Sequence, residues 1–213
     1  LPHPQGVEAA LLLEDDVRAN GAVPATIGVW DGAVHVGITR DELAALAEAK
    51  DVTKLNLSNF AATLSAGRPG STTVAATMFA AHHAGIPVFA TGGIGGVHRD
   101  AEVTGDISAD LDAMANHPVI VVSAGAKAFL DLGRTLEYLE TYGVPVLGWN
   151  TDRFPAFYTR DSGFAVPHSV TSAADVAAVL ANRARPRTGV LVGVPIPAAD
   201  ALDQRELDGV LAA

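Results

Sequence analysis

The sequence predicts an α/β protein, a three-layer α/β/α arrangement with a largely parallel central sheet and a small β-hairpin excursion. Three observations carry this. Four short apolar runs, "IPVFAT" (86–91), "HPVIVVSAG" (117–125), "GVPVLGW" (143–149) and "TGVLVGV" (188–194), have the length and continuity of strands buried on both faces. Helix-patterned stretches lie between them, and that alternation builds a sheet covered on both sides. Near the start, two β-rich segments flank Asp31-Gly32, a dipeptide suited to a tight hairpin turn.

The elements follow in order. Residues 7–19, "VEAALLLEDDVRA", carry a helical pattern, and Asn20-Gly21 can end it in a left-handed conformation. "VPATIGVW" and "VHVGIT" form the hairpin arms. Thr39 with Glu42 three residues on is a capping box that opens a second helix. "STTVAATMFAAHHAG" has the small residues of a closely packed helix, ended by Gly85. "KAFLDLGRTLEYLETY" is helical by period, which puts Lys127 in a first turn. "TSAADVAAVLANRAR" is helical as well, with a capping box at Ser172 and Asp175. No short repeat, low-complexity tract or linker interrupts the chain, so residues 1–213 are expected to form one domain.

Composition narrows the function classes. The 213 residues are 49% apolar, enough for a sizeable core. A formal charge of −10 argues against a nucleic-acid polymer or an anionic membrane as partner, while leaving room for a small anion at a local donor cluster. The absence of cysteine excludes disulfides, thiolate metal sites and a cysteine nucleophile, and fits a cytoplasmic location. No apolar run approaches the roughly 18 residues of a membrane span, and no signal-peptide pattern opens the chain. The opening "LPHPQGVEAA" lacks an initiator methionine, so the natural start is expected upstream.

In parallel sheets, ligands collect at the carboxyl ends of the strands, and the chemically interesting residues fall there. "TGGIGGVHR" can offer backbone amides to a phosphate or can be a tight turn; Thr91 and His98, at its two ends, are candidate substrate contacts, and Arg99 adds charge. In "TGDISAD", Asp106 and Asp110 are four apart, neighbours on a helical turn. One of them suits a hard divalent cation and the other acid–base chemistry, unless both are a solvated helix start. Lys127 ends "VVSAGAK". Among small residues its ammonium is expected to be poorly hydrated, which makes an amine nucleophile, whereas an exposed helix-start lysine is the plainer reading. Lys54 in "DVTKLNLSN" is a second candidate cation, and "GSTTVAATM" offers hydroxyls and helix-start amides.

Taken together, "VPATIG", "STTVAATM", "FATGGIGGVHR", "DISADL", "AGAK", "TLEYLETYGVPVLGW" and "FPAF…SGF" resemble, in order and over nearly the whole chain, the pseudouridine-5′-phosphate glycosidase family, which includes indigoidine-synthesis A-type proteins. The resemblance implies reversible cleavage of pseudouridine 5′-phosphate to uracil and ribose 5-phosphate, a divalent metal, typically manganese, and a homotrimer. By that resemblance Lys127 matches the covalent nucleophile that forms a Schiff base, and Asp106 the metal ligand. Ser108, Ala109 and Asp110 match a substrate-contacting segment, and Lys54 and Val74 further substrate contacts. Asp110 is also a candidate proton carrier or sugar orienter.

The chain departs from the family pattern in places. Family members carry an acidic proton donor upstream of "LPHPQ" and continue past "PIPAADALD" into a segment that supplies a base-contacting asparagine. The chain is therefore expected to be shortened at both ends. Val194 stands where an asparagine is common, and "KLNLSN" matches the usual lysine-serine-arginine-aspartate stretch only loosely. The alternative is a catalytically impaired family member that keeps the fold and sugar-phosphate binding.

Overall fold

The computed structural model describes residues 4–203, 207 and 209. Contacts group the chain into two compact units, Leu1–Ala80 and Ala81–Ala213.

The first unit opens with α1 (Gln5–Ala19), whose buried Glu14 is paired with Arg18 at 2.8 Å and accepts a hydrogen bond from the Thr26 hydroxyl. Asn20 is not left-handed; Gly21 takes the positive φ instead, at 79°. Strands β1 (Ile27–Trp30) and β2 (Ala33–Val36) pair antiparallel around Asp31 and Gly32, at φ 51° and 73°. Two consecutive positive φ values match the right-handed twist of a hairpin. Helix α2 (Arg40–Glu48) starts on the expected box, with the Thr39 side chain and the Glu42 carboxylate each accepting from the other's backbone N–H. Then come β3 (Thr53–Leu55), α3 (Phe60–Ser65), β4 (Gly70–Thr72) and α4 (Val74–His83), which continues into the second unit.

The hairpin is thus part of a four-stranded sheet in the order β2-β1-β4-β3, with β3 and β4 parallel. Val29, Leu55 and Ala76 form its core, flanked by Val34, Phe60 and Leu64. The expected small-residue helix is shorter than its sequence pattern. Gly70–Thr72 extends as a strand, because it is paired on both sides with β1 and β3, and the helix begins at Val74.

The second unit holds β5 (Val88–Ala90), α5 (Ala101–Thr104), α6 (Ala109–Asn116), β6 (Ile120–Ser123), α7 (Leu132–Thr141), β7 (Val146–Trp149), β8 (His168–Val170), α8 (Ala173–Asn182) and β9 (Val190–Gly193). Its five strands are all parallel, in the order β5-β6-β9-β7-β8. Each of the four predicted apolar runs contains one of them, but β5 is not buried on both faces as expected: it is an edge strand, and Val88 and Ala90 are exposed. Right-handed crossovers, the near-invariant hand, place α6 and α7 on one face. The connection from β8 to β9 runs back across the sheet, so α8 covers the other. There Val176, Val179 and Leu180 pack on Leu147, Val170, Val190 and Val192. This gives the three layers. Helix α8 starts on its Ser172–Asp175 box. Helix α7 starts at Leu132, not at Lys127: the Asp131 side chain accepts from the Arg134 N–H and caps it there, leaving residues 124–130 as a loop.

Candidate functional site

The loops that leave β5 and β6 run side by side beyond the carboxyl edge of the sheet. Thr91 N–H donates to Val122 O (2.9 Å), Ala124 N–H to Gly92 O (3.0 Å), Ile94 N–H to Gly125 O (3.0 Å) and Lys127 N–H to Ile94 O (3.1 Å). The parallel ladder therefore continues past the strands, and its last rung is the amide of Lys127. Ala124 is half-buried and Gly125 and Ala126 are buried, as the small residues before the lysine suggest, but the Lys127 side chain is exposed. The expected poor hydration of its ammonium is absent, because the residue sits in a surface loop and not in a packed first turn.

The glycine segment is packed by the protein's own side chains. A Cβ on Gly93 would lie 2.3 Å from the Phe157 ring, one on Gly95 2.2 Å from Ser108 Oγ, and one on Gly96 2.4 Å from Thr135 Oγ1. Five of its amides are committed to the protein. Beyond those of Thr91 and Ile94, Gly95 N–H donates to Asp110 Oδ2 (2.8 Å), Val97 N–H to Thr135 Oγ1 (2.9 Å) and His98 N–H to Asp106 O (3.0 Å). These five amides are therefore not the ones that a phosphate would take. The glycines instead permit close packing of α6, α7 and the Phe157 turn.

The "DISAD" segment pairs antiparallel with this loop. Val97 bridges Ile107, and Ser108 N–H donates to Gly96 O (3.0 Å). Ser108 then caps α6, its hydroxyl accepting from Asp110 N–H, and Ala109 is the first helical residue. Asp110 is buried, at 6% exposure, with its carboxylate on the Gly95 amide. Asp106 lies before the helix and its side chain is 61% exposed. The two carboxylates thus do not share a helical turn as their spacing implied: the pairing with residues 96–98 keeps Asp106 extended.

Asp106 Oδ2 is 3.6 Å from His98 Nδ1, and the His98 ring lies 5.9 Å from that of Phe129. Among the described residues no three His, Cys, Asp or Glu side chains come close enough to hold a metal ion by themselves. An accessible single carboxylate such as that of Asp106 suits a hard divalent cation that keeps most of its water.

In the first unit, Lys54 and Ser71 are register partners on β3 and β4, and both are exposed. Thr73 N–H donates to Leu55 O (2.9 Å), and the Thr73 hydroxyl accepts from Ala76 N–H (3.4 Å), which starts α4 at half-buried Val74. A lysine, a serine hydroxyl and a ten-residue helix that lacks acidic residues in its first turn thus meet at one strand edge. Ser108 and His98, the other expected phosphate donors, belong to the second unit. A cleft of about 930 Å³ in that unit lies elsewhere, along α7, the amino end of β7 and the end of α8, and none of Lys127, Asp106 and Asp110 lines it.

Sequence reasoning missed Thr135, Pro155 and Phe157. Thr135 is fully buried, and its hydroxyl both accepts from Val97 N–H and donates to Asp131 O. Phe157 and Pro155 lie in "FPAF", which carried only the resemblance. The left-handed backbone of Phe157 leaves no trace in residue type.

The architecture defines a class: a parallel α/β protein whose carboxyl-edge loops present a lysine, a buried carboxylate and an exposed carboxylate within one unit. The chain belongs to the indigoidine synthase A-like protein family, whose model matches residues 1–213. It is 53% identical to the pseudouridine-5′-phosphate glycosidase of Methylobacterium nodulans, over 100% of this chain and 64% of that protein, and so spans just under two thirds of that relative's length. Among solved structures it is similar to the prealnumycin C-glycosynthase AlnA in complex with ribulose 5-phosphate, with a TM-score of 0.90 and 41% identity over 96% of this chain and 68% of that one. It is also similar to an indigoidine synthase A-like protein from Thermotoga maritima, with a TM-score of 0.91 and 29% identity over 100% and 72% of the two chains. No helix among the described residues is long and apolar enough to cross a membrane.

Proposed function

We propose that this chain carries the core of a pseudouridine-5′-phosphate glycosidase, cleaving the carbon–carbon bond between ribose C1′ and uracil C5 through a Schiff base on Lys127. The observation that carries the reading is the placement of Lys127. It terminates a continuous ladder at the carboxyl edge of a parallel sheet, in a family whose named relatives act on this bond. The sugar-phosphate class of substrate has support in the ribulose 5-phosphate complex of AlnA.

The bond has no nitrogen lone pair of the base to release it, so the amine supplies the electron sink. Lys127 Nζ attacks C1′, the C1′–O4′ bond breaks and O4′ takes a proton. Protonation of uracil C5 follows. The C1′–C5 electrons then restore the C5=C6 double bond as the nitrogen lone pair closes the C1′=N iminium. Water hydrolyses the iminium, returning the amine and releasing ribose 5-phosphate. Lys127 must be unprotonated to attack; since it is exposed beforehand, the arriving substrate has to desolvate it.

Asp110 holds the Gly95 amide and with it the ladder, and Ser108, Ala109, Thr91 and His98 are assigned to sugar-phosphate contact. Lys54 and Val74 are assigned to substrate contact in the first unit. Asp106 would hold Mn2+ or a similar divalent cation through largely water ligation, and that ion would supply a fixed positive charge and ordered water. Homotrimeric assembly belongs to the same proposal.

Incubation with pseudouridine 5′-phosphate and Mn2+ should release uracil, and borohydride with ribose 5-phosphate should leave an adduct mapped to Lys127. Lys127→Ala and Lys127→Arg should give neither, since arginine keeps the charge without an accessible free amine. An adduct on Lys54, or uracil release by the alanine variant, would overturn the mechanism. Sugar-phosphate binding without adduct or uracil would favour the catalytically impaired alternative.

A further inference from the structure

Five described non-glycine residues have positive φ; four are Asp31, Asp51, Asp100 and Asn150, whose short polar side chains tolerate it, and the fifth is Phe157, at 63°. A bulky aromatic residue there is an outlier that surrounding structure has to hold in place. Two contacts do so. The Phe157 N–H donates to Ala124 O at 2.8 Å. Its ring lies flush on the glycine loop, with Cδ2 2.3 Å and Cε2 3.3 Å from where Cβ atoms of Gly93 and Gly92 would be. The same turn abuts Gly125, which bridges Ala156 and faces the Pro155 carbonyl.

We propose that Phe157 is a positioning residue for Lys127: its amide grips the loop that carries the lysine, its ring presses the neighbouring glycine loop, and the pair fixes the Ile94–Lys127 rung that aims the amine. The inference rests on the glycosidase reading and adds a residue to it. The left-handed backbone is what makes the clamp. At φ 63° one residue directs its N–H to one loop and its ring to the other. Only a glycine at 93 leaves room for the ring to reach the backbone whose next carbonyl, that of Ile94, receives the Lys127 amide.

The test uses Phe157→Gly and Phe157→Asn, both of which accept positive φ and keep the N–H, so the backbone turn survives and only the ring is lost. Borohydride trapping on Lys127 is measured against ribose 5-phosphate concentration, alongside amide hydrogen exchange at Ile94 and Lys127. A misplacement of about 1 Å costs ~10²-fold, so both variants should trap about 100-fold more slowly at saturating sugar phosphate, with a half-saturating concentration moved by less than about threefold. Exchange at the Ile94 and Lys127 amides should quicken while α6 and α7 stay protected. Phe157→Tyr, which restores a ring, should recover most of the trapping rate. Wild-type trapping in the glycine and asparagine variants, or a loss entirely in half-saturation, would overturn the proposal. If the wild-type protein forms no adduct, the glycosidase reading fails by itself. The clamp is then decided by exchange, and unchanged protection at Ile94 and Lys127 would refute it.

Discussion

Gly125→Ala is expected to damage stability and chemistry together, and the geometry sets the size of both effects. Gly125 has φ 83°, and a Cβ built on it would lie 1.8 Å from the Pro155 carbonyl oxygen and 2.7 Å from its carbon. Real Cβ contacts do not fall below 3.0 Å, so the two backbone segments must part by about 1.2 Å. Alanine at positive φ costs ~1–2 kcal/mol. Parting the segments also disturbs the Ile94 N–H bond to Gly125 O and the two bonds between Gly125 and the Ser123 hydroxyl. Losing two of these three adds ~2 kcal/mol. The total, roughly 3–4 kcal/mol, is a large part of the ~5–15 kcal/mol that holds a domain together. Thermal unfolding followed by circular dichroism should show a midpoint lowered by roughly 10 °C. Gly163→Ala is the control. It has φ 84° with nothing within 4 Å of its Cβ, so it carries the φ penalty alone, about 1 kcal/mol. Trapping on Lys127, two residues further on, should fall ~10²-fold in Gly125→Ala. Equal midpoints for the two variants would refute the close approach to Pro155.

Lys54→Ala should weaken ribose 5-phosphate binding ~10-fold or more and flatten its salt dependence in calorimetric titrations, because one charge-assisted contact is lost. Unchanged affinity would remove Lys54 from the site. Asp110→Asn should lose ~1–2 kcal/mol in urea unfolding by weakening a charge-assisted bond, and Asp110→Ala more, by leaving the buried Gly95 amide unpaired; wild-type stability in the alanine variant would contradict that role. Burial, then the neighbouring His82 and His83, hold the His117 imidazole below its ordinary value against the opposing pull of Asp112. The folded protein thus favours neutral His117, so its contribution is whole above the unfolded pKa of ~6.5 and is lost as pH falls from there through the folded value. Urea midpoints should decline less between pH 7.5 and pH 5 in His117→Gln than in the wild-type protein, and identical declines would exclude His117 as a source.

The buried strands were legible because continuous apolar runs bounded by glycine and proline have few alternatives, and β9, buried at all four positions, is the clearest case. The capping boxes were legible because each is a local side-chain arrangement that needs no tertiary partner. Strands β3, β4 and β8, "TKL", "GST" and "HSV", were not. Each is three residues long and mostly polar, and is held by its neighbours' backbones. The true start of α7 escaped because the helical period of "KAFLDLG" continues smoothly through a segment that Asp131 divides. Lys127, Asp106 and Asp110 could be singled out by residue type. Their surroundings could not: whether a lysine among small residues is dry, or which carboxylate turns inward, depends on pairings between loops, such as Gly95 with Asp110 and Ile94 with Lys127, that no local pattern reveals.

Strand β9 lies between β6 and β7, yet it is the last of the nine described strands in chain order. On a ribosome the sheet is therefore built with its middle missing. When Val146–Trp149 and His168–Val170 emerge they can form one two-stranded ribbon and β5 with β6 another, and ribbons of that size are marginal alone. The gap between them lasts from the synthesis of Trp149 to that of Val190, and at ~5–20 residues per second those roughly forty residues take about 2–8 s. For that interval the nascent chain offers a slot one strand wide with open edges on both sides. The segment that fits it best is "VLVG", carried by every sister chain on the same messenger. Crowded translation thus gives this topology a ready route to strand exchange between neighbours.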